Sequence, residues 1–115
     1  MIPTQMLKGV LDGCILAVIG RRETYGYEIA EMLRGYGFGR IAEGTVYPLL
    51  LRLERGGLIE ATYRDSAAGP RRKYYRLTAQ GQEALRAFWA HYRALSSAAE
   101  ALWQDTEGKS DEQTH

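Results

Sequence analysis

The sequence predicts a mainly α-helical chain in which one small β-hairpin separates three short helices from one long one. Three observations predict it. Apolar residues recur at three- and four-residue intervals over 5–20, 26–36, 43–55 and 79–103, the spacing of a buried helical stripe. Between the third and fourth of these segments, 58–64 and 71–77 alternate apolar and polar residues around a Gly-Pro turn, the period of half-buried strands. The 115 residues are 45% hydrophobic and 25% charged, the composition of one globular domain with at most a short appendage.

In the first helix, residues 5–20, the stripe is Leu7, Val10, Leu11, Cys14, Ile15 and Val18, and Gly20 closes it. Cys14 lies on that stripe and reads as a small core residue rather than a reactive thiol. The second helix, residues 26–36, has its apolar positions at Ile29, Met32, Leu33 and Tyr36. Gly35, Gly37 and Gly39 then break the chain. The third, residues 43–55, buries Val46, Leu49, Leu50 and Leu53, and Gly56-Gly57 caps it. Pro48 is placed near its first turn, where a missing N–H does little harm. The face opposite the stripe carries Gly44, Thr45, Pro48 and Arg52, flanked by Tyr47 and Leu51. It is small and nearly free of acid, which is unusual for a plain solvated face.

Leu58 to Arg64 and Arg71 to Leu77 read as the two strands, with Asp65 to Pro70 as the turn. Tyr75 and Leu77 point to one side; Arg72, Tyr74 and Arg76 point to the other. A two-stranded hairpin is marginal alone and must lean on the helices. Thr78 is a good N-cap for the last helix, which is predicted to run to about Trp103. Leu85, Phe88, Tyr92, Leu95, Ala99 and Leu102 are spaced 3, 4, 3, 4 and 3 apart, a heptad seam. So long a rod exceeds what the body can cover. A second copy of the chain is the economical partner, and a helix folded back on its own domain is the alternative.

The net charge of +1 is unevenly spread. From Gln104 onward Asp105, Glu107, Asp111 and Glu112 stand against Lys109, and no apolar residue occurs, so this acidic tail is predicted to be disordered. Arg64, Arg71, Arg72, Lys73 and Arg76 stand against Asp65 within thirteen residues. Such a cluster marks either a polyanion surface or a solvated arginine-rich hairpin.

Other functions are excluded or given no support. A single Cys forms no internal disulfide, and no Cys/His cluster has zinc spacing. No metal and no cofactor are expected. The longest apolar run, Cys14 to Ile19, is far short of a bilayer span, and no membrane association is expected. Met1 to Gln5 lacks the layout of a secretory signal, so a cytoplasmic protein is expected. His91 has no catalytic partner at a useful spacing, and Gly35-Tyr36-Gly37-Phe38-Gly39 lacks the remainder of a phosphate loop. An enzyme is not expected.

Three helices followed by a hairpin make a winged helix-turn-helix. In that layout the third helix enters the major groove of double-stranded DNA. Gly44 and Thr45 allow close backbone approach, and Tyr47, Pro48 and Arg52 are placed to touch bases or phosphates. Arg71, Arg72 and Lys73 of the wing would grip the sugar-phosphate backbone. Arg76, at the hairpin base, reads as a structural or pairing residue. The domains are then 1–78, winged-helix; 79–103, dimerisation helix; and 104–115, disordered acidic tail. A helical protein-interaction module without nucleic-acid binding is the alternative from another class.

The fragments Tyr25-Gly26-Tyr27-Glu28-Ile29, Gly44-Thr45-Val46-Tyr47-Pro48-Leu49-Leu50, Arg52-Leu53-Glu54, Gly57-Leu58-Ile59 and Gly69-Pro70-Arg71-Arg72-Lys73-Tyr74-Tyr75-Arg76-Leu77-Thr78, then Gly81, occur in this order. In them the chain resembles the PadR family of transcriptional regulators, from about Gln5 to Leu102. The resemblance implies a repressor-type regulator and a winged-helix homodimer made by the C-terminal helix, as in the smaller subfamily. It also implies a possible small aromatic effector, since some small members hold planar drugs between the subunits. Leu7, Leu11, Ile15, Phe88, Trp89 and Tyr92 are the candidates to line such a pocket. Many members carry a Trp eleven residues after the counterpart of Gly81; here that position is Tyr92, and a Trp falls one turn earlier, at Trp89. These aromatics could equally be interface packing.

Overall fold

The computed structural model describes residues 2–67 and 69–113, those of 109–113 by their backbone alone. The order is α1 (Thr4–Leu7), α2 (Leu11–Arg21), β1 (Thr24–Tyr25), α3 (Gly26–Gly35), α4 (Glu43–Arg55), β2 (Ile59–Ser66), β3 (Gly69–Leu77) and α5 (Ala79–Gln113). The three middle helices and the sheet enclose one core, with Ile15, Ile29, Leu33, Val46, Leu50 and Ile59 at its centre. The predicted stripes of α3 and α4 supply most of it. Tyr36 departs from its stripe: it is exposed, with the Arg21 guanidinium 5.6 Å from its ring centroid.

The predicted first helix is two. The Val10 N–H bonds to the Leu7 carbonyl, and Val10 takes φ −123°, ψ −10°. Gly9 lies at the break, where glycine's backbone freedom disfavours helix, and buried Leu7 holds the short α1 against the body. The predicted hairpin is in turn part of a three-stranded sheet of order β1-β3-β2. Thr24 and Tyr25 pair antiparallel with Tyr75 and Tyr74. Two residues are too few to show a period, but they close one edge of a marginal hairpin. The hairpin strands also reach further than predicted, with Ser66 opposite Gly69.

Two Schellman turns set the helix directions. Leu58 N–H bonds to Leu53 carbonyl and Gly57 N–H to Glu54 carbonyl, with Gly57 at φ +77°. Phe38, Gly37 (φ +99°), Leu33 and Arg34 repeat the pattern at the end of α3. The start of α5 then locks onto the first of these turns. The Thr78 hydroxyl accepts from Gly81 N–H at 3.0 Å and donates to Gly57 carbonyl at 2.6 Å. Gly81 is buried so closely that an added Cβ would stand 1.9 Å from the Leu58 carbonyl oxygen.

From that anchor α5 projects as a rod of 35 residues, about 52 Å at 1.5 Å per residue. It accounts for the 67 Å long axis of a molecule otherwise 28 by 20 Å. The helix passes the predicted stop at Trp103 and continues to Gln113, so backbone expected to be disordered is helical. Without an apolar residue to pin it, this end is held by helix-internal bonds, such as Thr106 hydroxyl to Leu102 carbonyl. The rest of the tail lies outside the described residues.

Candidate nucleic-acid interface

The buried stripe of α4 fixes which face it shows to solvent. With Val46, Leu50 and Leu53 inside, Gly44, Thr45, Tyr47, Pro48 and Arg52 are all exposed. Nothing lies within 4 Å of a Cβ built on Gly44. Glycine there is not required by packing or by a positive φ. Pro48 falls in the second turn of α4, one turn deeper than predicted, and the N–H it lacks is the α-helical partner of the Gly44 carbonyl. A helix-weakening Gly, a β-branched Thr and a Pro thus share one exposed face of the helix. Such local violations are expected at functional sites.

Tyr47 is 49% exposed, and its ring rests on the start of α3, where a Cβ on Gly26 would come within 2.9 Å. Tyr47, Leu51, Tyr25 and Gly26 form one side of a groove of about 440 Å³; Arg71, Arg72 and Lys73 form the other. The fold therefore brings Tyr47 and Leu51 of α4 and the wing cations to a single concave surface, while Thr45 and Arg52 line a separate groove with Leu7 and Leu11. Tyr25, Gly26 and Leu51 were not singled out as site residues; their role depends on pairing between distant segments that no local spacing reveals.

The predicted contact cations differ in how free they are. Arg52 is ion-paired with Asp12 of α2. Lys73 donates to Glu54 at 2.8 Å, and this hydrogen bond raises its pKa against a smaller opposing effect of burial. Arg71 stands 3.5 Å from the exposed Asp65 and lies over the Tyr63 ring. Arg72 lies over the Tyr25 ring. Arg76 pairs across the strands with Glu60 at 2.6 Å, the pairing role expected of it.

A second feature runs along α5. Leu85 and Phe88 pack partly on α2; an added Cβ on Gly13 would overlap the Phe88 ring. Beyond them the seam is bare: Leu95 is 63% exposed, Leu102 69% and Trp103 58%. Trp89 stacks on Tyr92 with centroids 5.6 Å apart. Between α2 and α5 lies a groove of about 680 Å³ lined by Cys14, Ala17, Val18, Leu33, Phe88 and Trp89, among others. Of the residues expected to line a pocket, Phe88 and Trp89 do so, and Tyr92 stands behind Trp89. Leu11 and Ile15 do not. They are buried in the chain's own core, because α2 turns a different set, Cys14, Ala17, Val18 and Arg21, toward α5. Leu7 faces a separate groove near α1. Burial raises the Cys14 pKa, the direction of a packed thiol rather than an activated one.

Among the described residues no group of three His, Cys, Asp or Glu could hold a metal ion, and no helix is long and apolar enough to cross a membrane. The helix order, the hairpin and the exposed α4 face define a winged-helix protein of the transcription-regulator class. The model of the Transcriptional regulator PadR-like family matches residues 15–87, and the chain belongs to that family. Its members are transcriptional regulators, not enzymes.

A PadR-like transcriptional regulator from Bacillus cereus is 46% identical, with TM-score 0.79 over 88% of this chain and 98% of that one. An uncharacterized protein of Lysinibacillus sphaericus is 39% identical over 71% of this chain and 77% of its own. Bacillus subtilis PadR, solved in complex with operator DNA, is 26% identical with TM-score 0.64, over 70% of this chain and 46% of that one.

Proposed function

We propose that this regulator binds double-stranded DNA sequence-specifically and represses transcription as a homodimer on a near-palindromic operator. One observation carries the reading: α4 and the wing cations Arg71, Arg72 and Lys73 border one groove through Tyr47 and Leu51, and the start of the same helix shows Gly44, Thr45 and Pro48 to solvent. In this reading the start of α4 enters the major groove, where its free N–H groups and small side chains permit close approach. Arg71, Arg72 and Lys73 lie along the phosphates, supplying affinity rather than sequence choice. A related protein has been solved with operator DNA, which supports this choice of partner. A DNA-bound regulator works in the cytoplasm of a bacterial or archaeal cell.

The bare apolar seam of α5 supports the homodimer. Leu95 and Leu102 stand exposed one heptad apart on the seam, with Trp103 exposed beside them, large apolar side chains of the kind that mark an interface. Two copies joined there would set their α4 helices about one DNA turn apart. Selection of bound fragments from random duplex DNA is the test. The expected product is a two-fold related pair of half-sites; recovery of no enriched sequence refutes the reading. An interaction module without a nucleic-acid role would bind an acidic protein through its hairpin, undisturbed by competing duplex.

The α2–α5 groove supports a second reading, in which a small aromatic effector binds beside Trp89 and shifts the spacing of the reading helices. Its walls are mostly apolar, and the stacked Trp89–Tyr92 pair lies at its edge. Titration with planar aromatic compounds should quench Trp89 emission. Unchanged emission in a Trp103→Phe background refutes this second reading.

A further inference from the structure

We propose that Tyr25 is a positioning residue that holds the Arg72 guanidinium ready for a DNA phosphate; the inference rests on the DNA-binding reading above. Tyr25 faces Tyr74 in the sheet register, and Arg64 faces Arg72. Two guanidinium groups directly opposed on neighbouring strands repel. The structure interleaves the rings between them. Arg72 lies 4.5 Å from the Tyr25 centroid, Tyr25 meets Tyr74 edge-on at 5.2 Å, and Arg64 lies 4.7 Å from the Tyr74 centroid. Arg64 ends the row in an ion pair with Glu23 at 2.8 Å.

Arg72 differs from its neighbours in what holds it. Arg52, Arg64, Arg71, Lys73 and Arg76 each face a carboxylate. Arg72 faces none among the described residues and is held by a ring instead. A guanidinium held over a ring through its weakly hydrated face, with no carboxylate beside it, keeps its in-plane N–H donors for another acceptor. Those donors match a phosphate in bidentate fashion. Arg72 and Tyr25 border the same groove as Tyr47 of α4, so the held guanidinium sits at the proposed DNA surface. A carboxylate partner would have to be displaced before a phosphate could bind. A ring need not be, and it lowers the entropy lost on binding.

The test is a mutant cycle on the full-length protein, read by anisotropy of a labelled mixed-sequence duplex at low salt, since a phosphate contact needs no particular sequence. Tyr25→Phe keeps the ring and should recover most of the affinity that Tyr25→Leu loses. Tyr25→Leu should weaken binding about two- to fivefold, the size of one exposed cation–π contact. Arg72→Ala should weaken it further and lower the salt slope by roughly one phosphate's share, about 0.9. Adding Tyr25→Leu to Arg72→Ala should change nothing more. An equal loss from Tyr25→Leu in both backgrounds, or none in either, overturns the proposal while leaving DNA binding standing. A parent protein that binds no duplex overturns both. If Tyr25→Leu does not fold, Arg72→Lys replaces it: this variant keeps the charge but not the planar fork. It should lose several times more affinity than Arg71→Lys, and equal losses overturn the assignment.

Discussion

Gly44→Ala separates the two roles a residue at the start of α4 can have. In the free protein the added methyl meets nothing within 4 Å, and Gly44 does not have a positive φ. The substitution therefore brings no clash and no strain. It removes the entropic penalty of glycine in a helix, a gain of about 0.5–1 kcal/mol; the position is in the first turn, which favours the lower figure. With an unfolding entropy of about 2.1 cal/mol/K per residue, the melting temperature should rise by about 2–4 °C. On DNA the same methyl occupies the space through which the α4 backbone would approach the duplex. Loss of one close base contact costs about 1–3 kcal/mol, so operator affinity should fall by about five- to 150-fold. The two effects have opposite signs, which no general destabilisation reproduces. Thermal melting followed by circular dichroism and anisotropy titration on the selected operator measure them. A variant that melts higher and binds the operator as tightly as the parent refutes the placement of α4 in the groove. One that melts lower refutes the claim that packing leaves Gly44 free.

Gly81→Ala should cost about 3 kcal/mol or more in urea unfolding, because the methyl is directed at the Leu58 backbone carbonyl, which cannot rotate away; a loss below about 1 kcal/mol contradicts the packing of α5 on that turn. Leu95→Glu places a charge on the bare seam and should give a monomer in sedimentation with unchanged helix content; a stable dimer would move the interface elsewhere. Alkaline pH should destabilise the protein. Folding raises the pKa of Lys73, through its bond to Glu54, and that of Tyr75, through burial. Both groups therefore bind protons more tightly when folded. Their contribution is complete below the unfolded values, near pH 10, and is lost as pH rises beyond them. The urea midpoint should be flat from about pH 7 to 9 and fall above about 10, less steeply in Lys73→Met; a steeper fall in the variant contradicts the sign.

Much of this architecture is written locally. The stripes Ile29, Met32 and Leu33 and Val46, Leu49, Leu50 and Leu53 follow helical period, and Ile59 and Tyr75 alternate with charged neighbours. Periodicity depends only on residues a few positions apart, so it survives reading without coordinates. The same logic located the exposed face of α4, since a helix with a known inside has a known outside. Gly9, by contrast, broke a stripe that looked continuous, and polar residues 104–113 continued a helix whose apolar signal had ended.

Tertiary structure decided what depends on distant pairs. The strand Thr24–Tyr25 exists because Tyr74 and Tyr75 offer it an edge. Gly81 is glycine because Leu58, far back in the chain, passes beneath it. Whether a cation of α4 or of the wing is neutralised by Asp12, Glu54 or Asp65, or rests on a tyrosine ring, is fixed by side chains that meet only when the chain folds. Sequence thus determined the elements and their inner faces, because hydrophobic burial repeats with local geometry. The fold alone determined which charges remain available at the groove, because ion pairing falls off within a few ångströms and takes no account of distance along the chain.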